Sequence, residues 1–244
     1  MVNISSRYFD GSYVASNPTW DREDALWKAE KVFSMIREYD LKPTSICEVG
    51  CGSGDILVHL ANLLPNIKMT GYDVSPQASS FWHDEFQSML YQESRSGSID
   101  FILGDFHKQN RENYDLLLML DVFEHVPNPF QFLEDTKRHA KYFIFHIPLD
   151  LSASSVLRGK PLMHVREKVG HLHYYTKDLA LTTLRDSGYE ILGWRYTGAS
   201  LNMPNRLLRT KMLSLFRRIS YRLNHDLGAR IFGGETLLVL AKPQ

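Results

Sequence analysis

A chain of 244 residues with 43% hydrophobic content can fill one large core, which excludes a predominantly disordered protein. Its 28 basic and 28 acidic side chains cancel, so no whole-chain field draws it to nucleic acid or an anionic surface, and such a contact has to be local. No stretch approaches the roughly 20 apolar residues that span a bilayer and the N-terminus lacks a leader-like apolar run, so a cytoplasmic location is expected.

Residues 21–40, DREDALWKAEKVFSMIREYD, place Leu26, Ala29, Phe33 and Ile36 on one helical face, with Asp21, Glu23 and Asp24 at the positive end of the helix dipole. Short runs rich in Ile, Val, Leu and Phe follow: SICEV, KMTGYDV, SIDFILGD, YDLLLMLDV and KYFIFHI. Between them lie the helix-length segments DILVHLANLL, PQASSFWHDEFQSML and PFQFLEDTKRHA, with Asp84 and Glu85 on a solvated face. Strand and helix in alternation predict right-handed crossovers and a doubly wound α/β sheet. Residues 149–170 carry no clear period and read as an irregular segment. TKDLALTTLRDSGYEILGWRYT then restores helix, glycine stop and strand, and ETLLVLAK reads as a final strand.

The predicted organisation is therefore an N-terminal cap and helix over 1–43, a core over 44–199 and 235–244, and a basic helical insertion over 200–234. In that insertion Arg206, Arg209, Lys211, Arg217, Arg218, Arg222 and Arg230 face only Asp226. Leu207, Leu208, Leu213, Leu215 and Phe216 make it amphipathic. The preferred reading is a lid over an acceptor pocket, with peripheral membrane contact through 204–223 as the alternative.

The chemistry concentrates after the first strand, in ICEVGCGSGDI, where Gly50, Gly52 and Gly54 let backbone approach a ligand closely. A dinucleotide fingerprint needs its third glycine where this chain has Asp55. Carboxylates at Glu48 and Asp55 repel phosphate and suit an ammonium or sulfonium, both of which S-adenosylmethionine carries. Asp73, at the end of the second strand, can accept both ribose hydroxyl hydrogens. Asp105 can accept from an adenine amino group with Phe106 beside the ring. LDVFEHVPNP puts Asp121, Glu124 and His125 at the fourth strand's carboxyl edge. Cys47 and Cys51 read as reduced and structural, and no ligand-spaced cluster predicts a metal.

EVGCGSG together with DVFEHVPNP resembles the class I S-adenosylmethionine-dependent methyltransferases over about residues 44–150, with a weaker likeness to about 195. The resemblance implies a seven-stranded Rossmann-like sheet whose last strand is inserted antiparallel. It implies that Gly50, Gly52 and Gly54 line the cofactor loop, Glu48 lies near the methionine end, Asp73 holds the ribose, and Asp105 and Phe106 hold adenine; Val74, next to Asp73, is also expected at the cofactor. Asp121 joins that set, as do Tyr8 and Trp20 of the cap, whose RYFD and NPTW resemble those of small-molecule and sugar methyltransferases. The expected function is O-methylation of a sugar or similar polar metabolite, with S-adenosyl-L-homocysteine as product, a small-molecule acceptor and no nucleic-acid partner. A hydroxyl acceptor needs a base that is neutral near pH 7, and His171 is preferred over His125 for it. His173 precedes the same helix as His171, and His146 reads as core. The rivals are a non-catalytic S-adenosylmethionine-binding protein and a nicotinamide-dependent oxidoreductase.

Overall fold

The computed structural model describes residues 4–82, 97–199 and 208–244. Seven strands form one sheet: β1 (Ser45–Val49), β2 (Lys68–Asp73), β3 (Ser98–Leu103), β4 (Tyr114–Leu120), β5 (Ala140–Leu149), β6 (Tyr189–Tyr196) and β7 (Glu235–Pro243). Their order is β3-β2-β1-β4-β5-β7-β6, and β7 runs antiparallel to both neighbours. The chain reverses direction across the sheet between β1 and β4, which opens a crevice at the carboxyl ends of those two strands.

The strands are apolar on both faces because both are covered. On one face Ile46, Met69, Leu116 and Leu118 pack under α2 (Ala25–Glu38) and α3 (Asp55–Leu63). On the other, Cys47, Leu117, Phe143 and Phe145 pack with Phe123, Tyr189 and Leu184. The cap preceding α2 includes the short helix α1 (Ser12–Ser16). After β2 come α4 (Pro76–Ser79) and, past β3, α5 (Phe106–Gln109); α6 (Pro129–Thr136) follows β4. Asp84 and Glu85 lie outside the described residues, as do Arg206 and Leu207 and the side chains of Arg209, Lys211, Leu208, Leu213, Leu215 and Phe216.

Residues 149–170 are not irregular. They form α7 (Ala153–Arg158) and α8 (Lys160–Lys168). Ser152 and Ser155 cap α7 reciprocally, and Gly159, at φ 63°, turns the chain into α8, where Pro161 sits in the first turn. Three serines, Ser152, Ser154 and Ser155, hide this helix start from a periodicity argument, because the signal is in the caps.

Helix α9 (Lys177–Asp186) leads to β6, capped by Thr176 and stopped at Gly188, whose φ is 83°. Between β6 and β7 lies α10 (Leu208–Phe232), broken at Asn224 (φ −157°, ψ 102°) into two arms, 208–223 and 225–232. The arms fold back on each other. Arg217 donates to the Phe232 carbonyl at 3.1 Å, and Tyr221 donates to the Gly233 carbonyl at 3.0 Å. His225 stacks on both Tyr196 and Tyr221 with centroids 4.4 Å apart, fastening the hairpin to the β6 side of the sheet. Among the described residues, no helix is long and apolar enough to cross a membrane.

Candidate active site

The crevice between β1 and β4 holds a cavity of about 260 Å³. Glu48, Gly50 and Gly52 line it from the first strand and loop, Asp121 and His125 from the turn after the fourth strand, Trp20 from the cap and Lys28 from α2. Gly50, Gly52 and Gly54 all have left-handed φ (75°, 53° and 81°), which side-chain-bearing residues rarely adopt. Space is equally strict. A Cβ on Gly52 would lie 2.6 Å from the indole of Trp20, and one on Gly50 would lie 2.8 Å from Val122.

Asp73 supports this loop from β2. One carboxylate oxygen accepts from the Gly52 N–H at 2.8 Å and the other from the Ser75 N–H at 2.8 Å. Burial raises its pKa, and these backbone donors oppose the shift. Val74 is exposed beside it. Trp82 also secures the loop, its indole donating to the Gly52 carbonyl at 2.9 Å. Neither sequence spacing nor periodicity singles out Trp82.

Two expected groups are engaged elsewhere. Asp55 is fully buried at the start of α3 and pairs with Arg22 at 2.5 Å, so its charge locks the cap onto the loop and is not offered to a ligand. Phe106 points into the core, edge-on to Tyr72 with centroids 5.2 Å apart, and is not a face for adenine. Asp105 caps α5 through the His107 N–H at 3.0 Å and stays partly exposed, with Lys108 at 3.5 Å.

Glu48 carries the strongest ligand signal. It is 1% exposed, and its Oε2 has no hydrogen-bond partner among the described residues. Burial pushes its pKa up to about 8, although Lys28 pulls the other way. A buried carboxyl short of a partner and facing a cavity fits a cationic ligand group.

Asp121, at φ 57°, is held in a chain of polar contacts. Lys28 lies 2.8 Å from one oxygen and His146 Nδ1 2.7 Å from the other, while His146 Nε2 meets Thr236 Oγ1 at 2.8 Å. Burial works against the Asp121 charge, but His146 and Lys28 outweigh it and hold the carboxyl far below its ordinary value. His146 is thus buried as expected, yet it lines the cavity and orients Asp121 instead of merely filling the core.

Beyond Asp121 stand Glu124, His125 and His171, with ligand-type atoms within 4.8 Å of one another. The segment carrying His171 is tied to the fourth-strand turn by the Leu172 and His173 N–H groups, which donate to the Glu124 carbonyl at 2.8 and 3.1 Å. His173 itself meets the Val126 carbonyl at 3.0 Å, a structural contact. Glu124 is fully buried, with neither carboxyl oxygen hydrogen-bonded to a described residue, and burial raises its pKa well above the usual range. His125 is pushed down to about 3, first by burial and then by His171. An imidazole held down in this way is a weaker base near neutrality than an ordinary histidine.

His171 is different. Its Nδ1 lies 2.6 Å from Asp150 Oδ2, and it lines the cavity. Sequence reasoning missed Asp150, because only the fold brings residues 21 positions apart together at the end of β5. Of the cap residues, Trp20 and Tyr13 line the cavity, Tyr13 without any sequence signal. Tyr8 stands edge-on to His125 with centroids 6.0 Å apart.

An antiparallel β7 in a seven-stranded sheet, with a glycine loop beside a buried carboxyl, defines the class I methyltransferase architecture. Residues 47–142 match the family model for a methyltransferase domain. Trans-aconitate 2-methyltransferase of Streptomyces coelicolor is 29% identical over 121 residues, covering 46% of this chain and 39% of that protein. The mitochondrial ubiquinone biosynthesis O-methyltransferase of Dictyostelium discoideum is 27% identical over 111 residues, covering 43% and 34%. The chain thus matches well under half the length of either curated relative. Magnesium protoporphyrin IX methyltransferase from Synechocystis, solved with bound SAH, superposes with a TM-score of 0.59 at 15% identity, over 90% of this chain and 83% of that one. A putative methyltransferase complexed with the Trm112 activator of Haloferax volcanii reaches 0.61 at 15% identity, over 99% and 97%. These structures share the fold. Residues 47–142 thus match a methyltransferase domain, and the fold is the one shared by methyltransferases solved with bound S-adenosylmethionine or S-adenosylhomocysteine.

Proposed function

We propose that the protein methylates a hydroxyl oxygen of a small polar acceptor, a sugar or similar metabolite, with His171 as the proton acceptor. The observation that carries this reading is the Asp150–His171 contact of 2.6 Å at the cavity wall. Asp150 holds Nδ1 protonated and leaves the second ring nitrogen, which makes no hydrogen bond to a described residue, as the lone pair facing the chemistry.

S-adenosylmethionine, when bound, supplies an electrophilic methyl group on sulfonium, an excellent leaving group. Gly50 and Gly52 admit its amino-acid portion to the loop, Glu48 neutralises its ammonium, and Asp73 accepts from its ribose. His171 would take the O–H proton of the acceptor as its oxygen accepts the methyl group that the bound cofactor would supply. Trp20, Tyr13 and the rest of the cap exclude water from that exchange.

The test is His171→Ala and Asp150→Asn against a panel of hydroxylated acceptors. His171→Ala should lower turnover by about 100-fold or more with cofactor affinity unchanged, and should remove the acidic limb of the rate profile. Unchanged turnover and pH dependence in both variants would reject His171 as the base. The absence of any acceptor-dependent turnover in the wild-type protein, with cofactor still bound, would favour the non-catalytic rival.

A further inference from the structure

The chain's charge balance hides a segregation. Residues 153–168 and 208–232, the helices α7, α8 and α10, carry ten Lys and Arg against only Glu167 and Asp226, within a molecule whose 28 basic and 28 acidic side chains cancel. The rest of the protein is correspondingly acidic, so the molecule is electrically polarised toward this face. α7 packs against the α10 hairpin, and Ser154 donates to the Phe232 carbonyl at 3.2 Å, making one continuous surface.

That surface is also apolar where a water-facing helix should be polar. Leu157 is 88% exposed and Leu223 83% exposed, at the outer turn of α7 and the tip of the hairpin. Ile219 and Leu223 sit four residues apart on one arm, Leu227 and Ile231 on the other, and all are exposed. Beside them Arg158, Lys160, Arg218 and Arg222 are exposed and make no ion pair with a described residue. By contrast, Arg230 is committed to Asp226 and Asp178, and Arg217 is buried on the Phe232 carbonyl. The outward cations thus carry charge that no described carboxylate neutralises, while the inward ones hold the hairpin together.

We propose that α7, α8 and the α10 hairpin dock the protein on an anionic lipid bilayer, the leucines entering the acyl boundary and the outward cations meeting acidic headgroups. Exposed leucines with flanking arginines match a lipid surface on both counts, whereas a nucleic acid would be served by the cations alone. α8 runs directly into Val169 and His171, which line the cavity, so docking brings the active site to the bilayer surface. The inference does not depend on the identity of the acceptor.

The experiment is co-sedimentation of the full chain with phosphatidylcholine vesicles, with and without about 30% phosphatidylglycerol, at low and high salt. Binding should be about tenfold or more tighter to the anionic vesicles and weaken as salt rises. Leu157→Asp with Leu223→Asp, and separately Arg218→Ser with Arg222→Ser, should each reduce anionic-vesicle binding at least about fivefold while S-adenosylmethionine affinity, the folding control, stays unchanged. Equal or absent binding to the two vesicle types overturns the proposal. So does a dimer in sedimentation equilibrium that the aspartate pair dissolves, since a second copy would then cover the face. Binding of single-stranded RNA that is lost with the arginines but indifferent to the leucines overturns it as well.

Discussion

Glu48 gives the most quantitative handle on the site. Its carboxyl titrates near 4.5 in the unfolded chain and near 8 in the ligand-free protein, with burial the main cause. At about 1.4 kcal/mol per pH unit, that difference corresponds to a stability penalty of about 5 kcal/mol once the group is forced to ionise. The sign follows from proton counts. Between pH 4.5 and 8 the native state holds a proton that the unfolded state has lost, so stability falls as pH rises through this window and levels off above it. Glu48→Gln removes the titration and keeps the shape. Chemical denaturation of both proteins from pH 4 to 9 should show similar stability at the acid end and a growing advantage for Glu48→Gln, about 3 kcal/mol at pH 7. Cofactor binding should invert the benefit. The ligand's ammonium ionises Glu48, so calorimetry in buffers of different ionisation enthalpy near pH 7 should show release of about one proton, absent in the glutamine variant along with much of the affinity. A stability difference that does not change with pH, or binding without proton release, would refute the assignment of Glu48 as the orphan carboxyl awaiting a cation.

Further expectations test the loop and the cluster beyond it. Gly52→Val should abolish cofactor binding, because its side chain would collide with the Trp20 indole, already 2.6 Å from an added Cβ, at a left-handed φ; a crystal with normal cofactor density would count against this placement. Asp73→Ala should weaken S-adenosylmethionine by about 30-fold or more, roughly 2 kcal/mol, in a protein that still folds, as read by calorimetry. His125→Ala should leave the position of the acidic limb where it is, since a group titrating near 3 is neutral throughout the working range. Turnover should survive exhaustive chelation; loss on chelation with recovery on adding a divalent cation would make Glu124, His125 and His171 a metal centre and displace His171 from the base role.

The sheet was legible because fully buried strands must be apolar on both faces, and such runs show in one dimension: SICEV begins and ends where β1 does. The glycine loop was legible for a related reason. Left-handed backbone admits few residues other than glycine, so Gly50, Gly52 and Gly54 are marked by their own backbone conformation, while the crowding by Val122 and Trp20 is added by the fold. The charge of the ligand, too, followed from Glu48 standing next to that loop. What the residues along the chain could not convey is pairing. Asp55 and Glu48 look alike as flanking carboxylates, yet Arg22, 33 positions away, neutralises one and leaves the other to the cavity. Phe106 beside Asp105 looks like a stacking face until the core claims its ring. His125 and His171 have the same side chain, and only the third dimension gives one an Asp150 partner and buries the other beside it. A side chain's chemistry at a site is set by burial and by the groups that reach it, and both arise from contacts distant in sequence, so local pattern could locate the site while only the folded chain could assign its roles.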